Sequence, residues 1–478
     1  MTHDAVPTAT AARSGTAAAA TPGGSPSRAP STGRLIGIDL ARGLAIFGMY
    51  ADHVGPAPSV GGALGWLMEV AHGRSSALFA LLAGFTLIIL TGRPQPRTGR
   101  AGRQAMGRVL IRSAVLIALG YALTWLDTDV DVILACYGMI FVLALPLYRL
   151  RAATLAVIAA SAALVMPLVL YALRAAGEGG GWADAVVARD PLARVTGGDG
   201  FVELFVTGAY PVLTWLPFII AGMAVAKLDL TRPGMLTRLA LSGGALAALG
   251  YGGSWLALHL VPGALSAVNA VTAGSSAGSA WWSDAAGAPS EGTPYWLLVA
   301  APHSQTTWSI LGNTGVALLV LAVCLAAMDR SAFLRRSAAP VVAAGSISLT
   351  AYVGHIGAIK ILGADELPAD AALPVLVTFI TATMLFALVW KRYFRRGPLE
   401  HLLHVATTVP SPSPTPTPAL LPPPVPVPTP VPTSVPTSVP TSVPTSVPTS
   451  VPTSVPTASA DRRAEPKSLR PPAGRPVD

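Results

Sequence analysis

The chain is 478 residues long, 52% hydrophobic and only 12% charged, with a mean hydropathy of +0.57 and a formal net charge of +9. That balance excludes an ordinary water-soluble protein. The excess of Lys and Arg over Asp and Glu, 32 against 23, does not point to a nucleic-acid partner, because the cations alternate with apolar runs instead of forming one patch.

Residues 1–33 are rich in Ala, Thr, Ser, Pro and Gly without hydrophobic periodicity, which predicts a disordered leader. It is not a signal peptide: the Ala17 to Ala20 run is too short, and the first long apolar run carries Asp39 and Arg42. Ten stretches then reach the roughly 20 residues that a helix needs to cross a bilayer. They cover 35–54, 75–91, 109–126, 132–148, 152–173, 207–226, 236–261, 307–328, 339–360 and 372–391. Apolar runs of this length satisfy their backbone groups internally only as helices, whereas a barrel would show shorter, alternating segments. The expected fold is an all-α, multi-pass membrane bundle of about ten helices over 34–403.

Counting Lys and Arg in alternate loops sets the orientation. With the leader inside, 21 cations fall on the cytoplasmic side, six of them between Arg93 and Arg112, and five on the other. Both termini are therefore expected in the cytoplasm and the protein in the plasma membrane, with the bilayer as its main partner and a homodimer allowed. The two long external loops, 174–206 and 262–306, carry Trp182, Trp281, Trp282 and Trp296, expected to anchor at the interface or to line a carbohydrate site. Cys136 and Cys324 lie in apolar runs with neither disulfide nor zinc spacing and read as packing residues. After Leu403 the composition changes to Pro, Thr, Ser and Val, and Ser-Val-Pro-Thr recurs from Val431 to Thr457, so 404–478 is expected to be an extended, disordered tail.

Ionisable groups inside membrane spans are costly, and the few present are functional candidates. In the first span Asp39 and Arg42 stand three residues apart on one face, where pairing lowers the cost of burial. His53 lies about 40° around the helix from Asp39 and roughly 21 Å above it, so one polar stripe crosses most of the membrane. His72 and Arg74 open the second span, His259 ends the seventh and His303 precedes the eighth. The ninth sets Ser348, Tyr352 and His355 on one face. A polar layer open to the outside is implied. No His-x-x-x-His or similar ligand spacing occurs, so no metal is expected.

The same residues carry a resemblance. Arg34-x-x-x-x-Asp39-x-x-Arg42-Gly43, followed by His72-Gly73-Arg74-Ser75-Ser76 and the run to Gly84, resembles the opening of the transmembrane acyltransferase superfamily. That superfamily includes the heparan-alpha-glucosaminide N-acetyltransferase-like proteins and the YeiB-like bacterial membrane proteins. Later blocks are similar to the YeiB-like branch: Gly208-Ala209-Tyr210-Pro211 with Trp215-Leu216-Pro217, Pro302-His303-Ser304 with Gly312-Asn313-Thr314-Gly315, Gly345 to His355, and Arg396-Gly397-Pro398-Leu399-Glu400. The resemblance implies a ten- or eleven-helix protein that takes an acyl group from cytoplasmic acyl-CoA and delivers it to an external sugar or glycoconjugate. The loop histidine of the lysosomal branch is not matched at the same distance from the Asp-x-x-Arg-Gly block; with the histidine layer, the expected catalytic residues are His72 or His53 as base and Asp39 and Arg42 organising the inner cavity, with Arg74, His303, Tyr352 and His355 as candidate acceptor contacts. The alternative reading from the polar stripe is a transporter or flippase, which broken helices would support, or a non-catalytic scaffold.

Overall fold

In the computed structural model the described residues are 32–408, except 94, 178–180, 197, 275, 290 and 365–367. The predicted leader and Pro-rich tail lie outside them, apart from their inner edges. Each of the ten apolar runs is helical over most of its length. The described body begins with α1 (Thr32–Val54), α2 (Gly62–Ala71), α3 (Arg74–Thr91), α4 (Gly99–Thr124), α5 (Leu134–Ala144) and α6 (Ala152–Gly177). It continues with α7 (Val212–Ala226), α8 (Met235–Ala247), α9 (Gly253–Leu260), α10 (Thr307–Arg330), α11 (Ala339–Ser346), α12 (Ser348–Leu362), α13 (Ala372–Tyr393) and α14 (Pro398–Ala406). A single three-residue antiparallel pair, Thr272–Gly274 with Gly287–Pro289, ties the loop before α10.

The protein is a multi-pass, all-α membrane bundle, but fewer of its helices are full-length spans than the sequence predicts. Among the described residues, five helices are long and apolar enough to cross a bilayer, or up to seven when each bent pair counts as one. α1 is 23 residues long but carries Asp39, Arg42 and Asp52. The sixth predicted span starts late, at Val212, because Pro211 has no N–H to give a preceding turn and instead caps the helix start. The seventh passes from α8 through a π-helical turn, Ala248–Gly252, into α9. The ninth is broken: α11 and α12 meet at Ile347 with an 85° bend.

α1 sits centrally, packed against α2, α3, α10, α11, α12 and α13. Where two helices must touch backbone to backbone, both supply glycine. A methyl group on Gly84 of α3 would overlap the Ile219 carbonyl of α7, and one on Gly222 of α7 would overlap the Leu81 carbonyl of α3. Gly43 of α1 and Gly345 of α11 make the same reciprocal approach, against Val341 and Asp39. In lipid, where apolar side chains gain nothing by leaving water, such close contact is a principal source of helix association. Cys136 and Cys324 are buried, unpaired packing residues. The loop tryptophans differ from expectation: Trp296 is buried and stacks on Tyr171, and Trp282 packs on Arg74.

Candidate functional site

α1 supplies polar groups at both of its ends, and each end opens on a different cluster. At the first, Arg42 Nη1 donates to Asp39 Oδ1 at 3.1 Å and Nη2 to Thr86 Oγ1 of α3 at 2.6 Å. Beside this pair lies a cavity of about 150 Å³, lined among others by Arg42, Thr86, Arg112, Ser346, Ser348, Tyr352 and Glu400. That is room for roughly five waters. Arg112 of α4 is the residue that sequence reasoning missed here: its Nε is buried with no hydrogen-bond partner. The nearby carboxylate is already engaged. Glu400 of α14 accepts from the N–H groups of Leu349 and Thr350 at 2.7 and 3.2 Å and from the Thr350 hydroxyl at 2.6 Å, capping α12 at the break. The cavity thus has two guanidinium groups and one carboxylate in its wall; Glu400 is engaged by α12, Arg42 is paired with Asp39, and Arg112 Nε has no hydrogen-bond partner.

From the cavity wall a row of rings runs toward the other end. Tyr352 accepts a hydrogen bond from the Ile133 backbone N–H at 3.3 Å, and its ring centroid lies 5.2 Å from that of His355. His355 Nε2 is 2.8 Å from His53 Nδ1, so one ring donates and the other accepts. The Tyr50 ring packs against His355 with centroids 4.5 Å apart and a 33° tilt, and its hydroxyl donates to the Ala351 carbonyl at 2.9 Å. Ser348, Tyr352 and His355 share one face of α12, as their spacing predicts.

The second cluster gathers around Asp52, the chain neighbour of His53, about 100° around α1 from it. His72, in the turn between α2 and α3, places Nε2 3.2 Å from Asp52 Oδ1 and Nδ1 3.4 Å from Asp284 Oδ1. His303 Nε2 lies 3.9 Å from Asp52 Oδ2. His303 and Gln305 adopt positive φ, +55° and +60°. The loop is pinned there because Gln305 donates to the Ala209 carbonyl and accepts from Thr214, each at 2.9 Å. Non-glycine residues in this conformation are held by their surroundings at a cost of about 1–3 kcal/mol each, and such strain clusters at functional sites.

Arg74 is buried at the edge of this cluster. It donates to the carbonyls of Glu69 (2.6 Å), His72 (3.3 Å) and Trp282 (2.5 Å) and to the Tyr251 hydroxyl (3.0 Å), which in turn donates to Asn313 Oδ1 at 2.7 Å. It therefore ties α2, the loop before α10, and α10 itself around His72. His259 stands apart, exposed and stacked on Trp255. A second, wider cavity of about 340 Å³ adjoins His303 through Tyr210, whose ring centroid is 5.6 Å away. It is lined by Asp127, Asp129, Asp131 and Glu203, and burial pushes the Asp131 carboxyl above its ordinary range.

Residues 279–410 match the model of a family described as protein of unknown function (DUF418), a family associated with YeiB-like membrane proteins. The matched segment contains His303, Tyr352, His355 and Glu400, and it agrees with the YeiB-like resemblance of the sequence blocks. No curated protein matches the chain.

Proposed function

We propose that this protein transfers an acyl group from acyl-CoA, taken up at the Arg42 end on the cytoplasmic side, to a hydroxyl or amine acceptor held in the outer cavity beside His303. The observation that carries this reading is the buried, unpartnered Nε of Arg112 in the wall of a cavity that Arg42 also lines, with Glu400 engaged by α12. A buried guanidinium without a hydrogen-bond partner is stabilised by an anionic ligand, and planar guanidinium forks suit phosphate. A cavity of about 150 Å³ accommodates one phosphate group of the donor, not a whole nucleotide, so the donor's long arm has to carry its thioester the roughly 16 Å to the acceptor beside His303.

The chemistry follows from the histidine end. Attack on the thioester carbonyl forms a C–O or C–N bond, breaks C–S and releases CoA as its thiolate. The acceptor's proton passes to an imidazole and from there to the thiolate. His72 and His53 are the proposed bases, grouped with His303 around Asp52, and the Tyr352, His355 and His53 row spans the distance from Arg42, about 16 Å along α1. Arg74 acts through position, fixing the turn that presents His72. Acyl-CoA titrated into the protein in lipid nanodiscs by calorimetry should bind at micromolar concentration and lose at least tenfold in Arg112→Met. Failure to bind any CoA thioester sinks the proposal.

A second reading, transport, draws support from the break at Ile347. A helix start at membrane depth beside a cationic cavity resembles the interrupted helices that line transporter sites. Movement of an anionic substrate into liposomes without CoA would favour it.

A further inference from the structure

We propose that Asp52, His72 and His303 bind a divalent transition-metal ion at the outer end of the bundle, a site that shares His72 with the acyl-transfer reading and, when occupied, leaves His53 as its base. One donor atom from each of the three side chains lies within 4.8 Å of the other two. A zinc ion at about 2.0–2.2 Å from nitrogen and oxygen donors in tetrahedral array sets neighbouring donors roughly 3.4 Å apart. The contacts of 3.2 Å between His72 Nε2 and Asp52 Oδ1, and 3.9 Å between His303 Nε2 and Asp52 Oδ2, bracket that spacing. Only small side-chain movements separate the cluster from a coordination shell.

Three further observations favour an ion over a bare hydrogen-bonded cluster. Asp284 lies 3.4 Å from His72 Nδ1, the carboxylate partner that orients a metal-bound imidazole and leaves Nε2 to the ion. Next to it Glu69 is 98% buried, neither of its oxygens makes a hydrogen bond, and its nearest cation, Arg74 Nη1, is 4.0 Å away. Arg74 stands beside Glu69 alone of these carboxylates, whereas the partners of Asp52 and Asp284 are the imidazoles of His72 and His303, so a divalent ion adds positive charge where no permanent cation makes contact. Finally, the pinned, positive-φ loop fixes the direction of His303 before any ligand arrives.

The donor set is two imidazoles and one carboxylate. It leaves a position for water or for an acceptor oxygen on the side of the outer cavity, and it suits zinc or iron better than calcium or magnesium. In a metal-free cluster His72 instead carries protons on both nitrogens, bridging Asp52 and Asp284 as an imidazolium.

The test uses the full chain, purified through a histidine-free tag, stripped with chelator and placed in nanodiscs. Calorimetry with zinc chloride should show one tight equivalent per chain. Its affinity should fall at least 100-fold in His303→Gln and in Asp52→Asn, fall about 10–100-fold in Asp284→Asn, and stay unchanged in His259→Ala. Cobalt(II) added to wild type should give the intense visible absorption of a four- or five-coordinate site, a readout that does not depend on any variant folding. The proposal is overturned by zinc binding that persists in a His72→Ala/His303→Gln double variant. It is equally overturned by a cobalt spectrum no stronger than that of the aqueous ion.

Discussion

His53 Nδ1 and His355 Nε2 face each other at 2.8 Å across the contact between α1 and α12, and the two rings lie within 10° of parallel. One proton shared between them links the outer end of the Arg42 stripe to the helix that starts in the inner cavity.

If that link moves protons during transfer, replacing His355 with Phe, which keeps a ring packed against Tyr50, should lower the turnover of acyl transfer by about 10²–10⁴-fold. Acyl-CoA affinity should stay within about threefold. Turnover within tenfold of wild type would remove the pair from the chemistry.

The buried arginines predict opposite effects on binding and on stability. Arg112→Met removes an unpartnered buried Nε and the repulsion from Arg42, so the unliganded protein should melt at the same temperature as wild type or higher. Acyl-CoA should raise the melting temperature of wild type and leave that of the variant unmoved. A variant that is less stable and still binds would show that Arg112 serves the fold.

Glu400→Gln keeps the shape of the cap on α12 but weakens a charged acceptor of two backbone N–H groups and one hydroxyl. A loss of about 0.5–2 kcal/mol is expected. Hydrogen exchange should quicken at Leu349 and Thr350 first.

At the contact between α3 and α7, Gly222→Leu forces a side chain against the Leu81 carbonyl. Overpacking of this kind costs about 1–3 kcal/mol or more. Thermal unfolding in detergent measures it, with Gly107→Leu, where nothing crowds the added carbon, as the control.

Since both native cysteines are buried, the parent chain should resist maleimides in intact membranes. Single cysteines at Arg103 and Ser276 should then label from opposite sides, Ser276 from outside. Labelling of both from one side would overturn the topology.

Hydrophobicity made the helical class and the run of helices legible, because run length against bilayer thickness needs no tertiary information. The breaks were not legible. Nothing in Ser346-Ile347-Ser348 marks an 85° bend, and the cap that permits it comes from Glu400, about 50 residues later. In the site, Asp39 with Arg42 and Tyr352 with His355 followed from helical spacing, since both members share a helix. Asp52 was overlooked beside His53 although it too is charged within the first apolar run, and Arg112 was counted only as a topology signal. The ligand set of Asp52, His72 and His303 comes from three separate segments, so no linear spacing reveals it.

The cap on α12 also has a mechanical consequence. Glu400 grips the first turn of a straight helix whose eighth residue is His355, roughly 10 Å farther along the axis. A rigid rod clamped at one end acts as a lever, so a tilt of α14 would displace the His355 imidazole. Because the wall of the cavity beside Arg42 includes both Glu400 and Ser348, a ligand bound there would press on the clamped end of that lever.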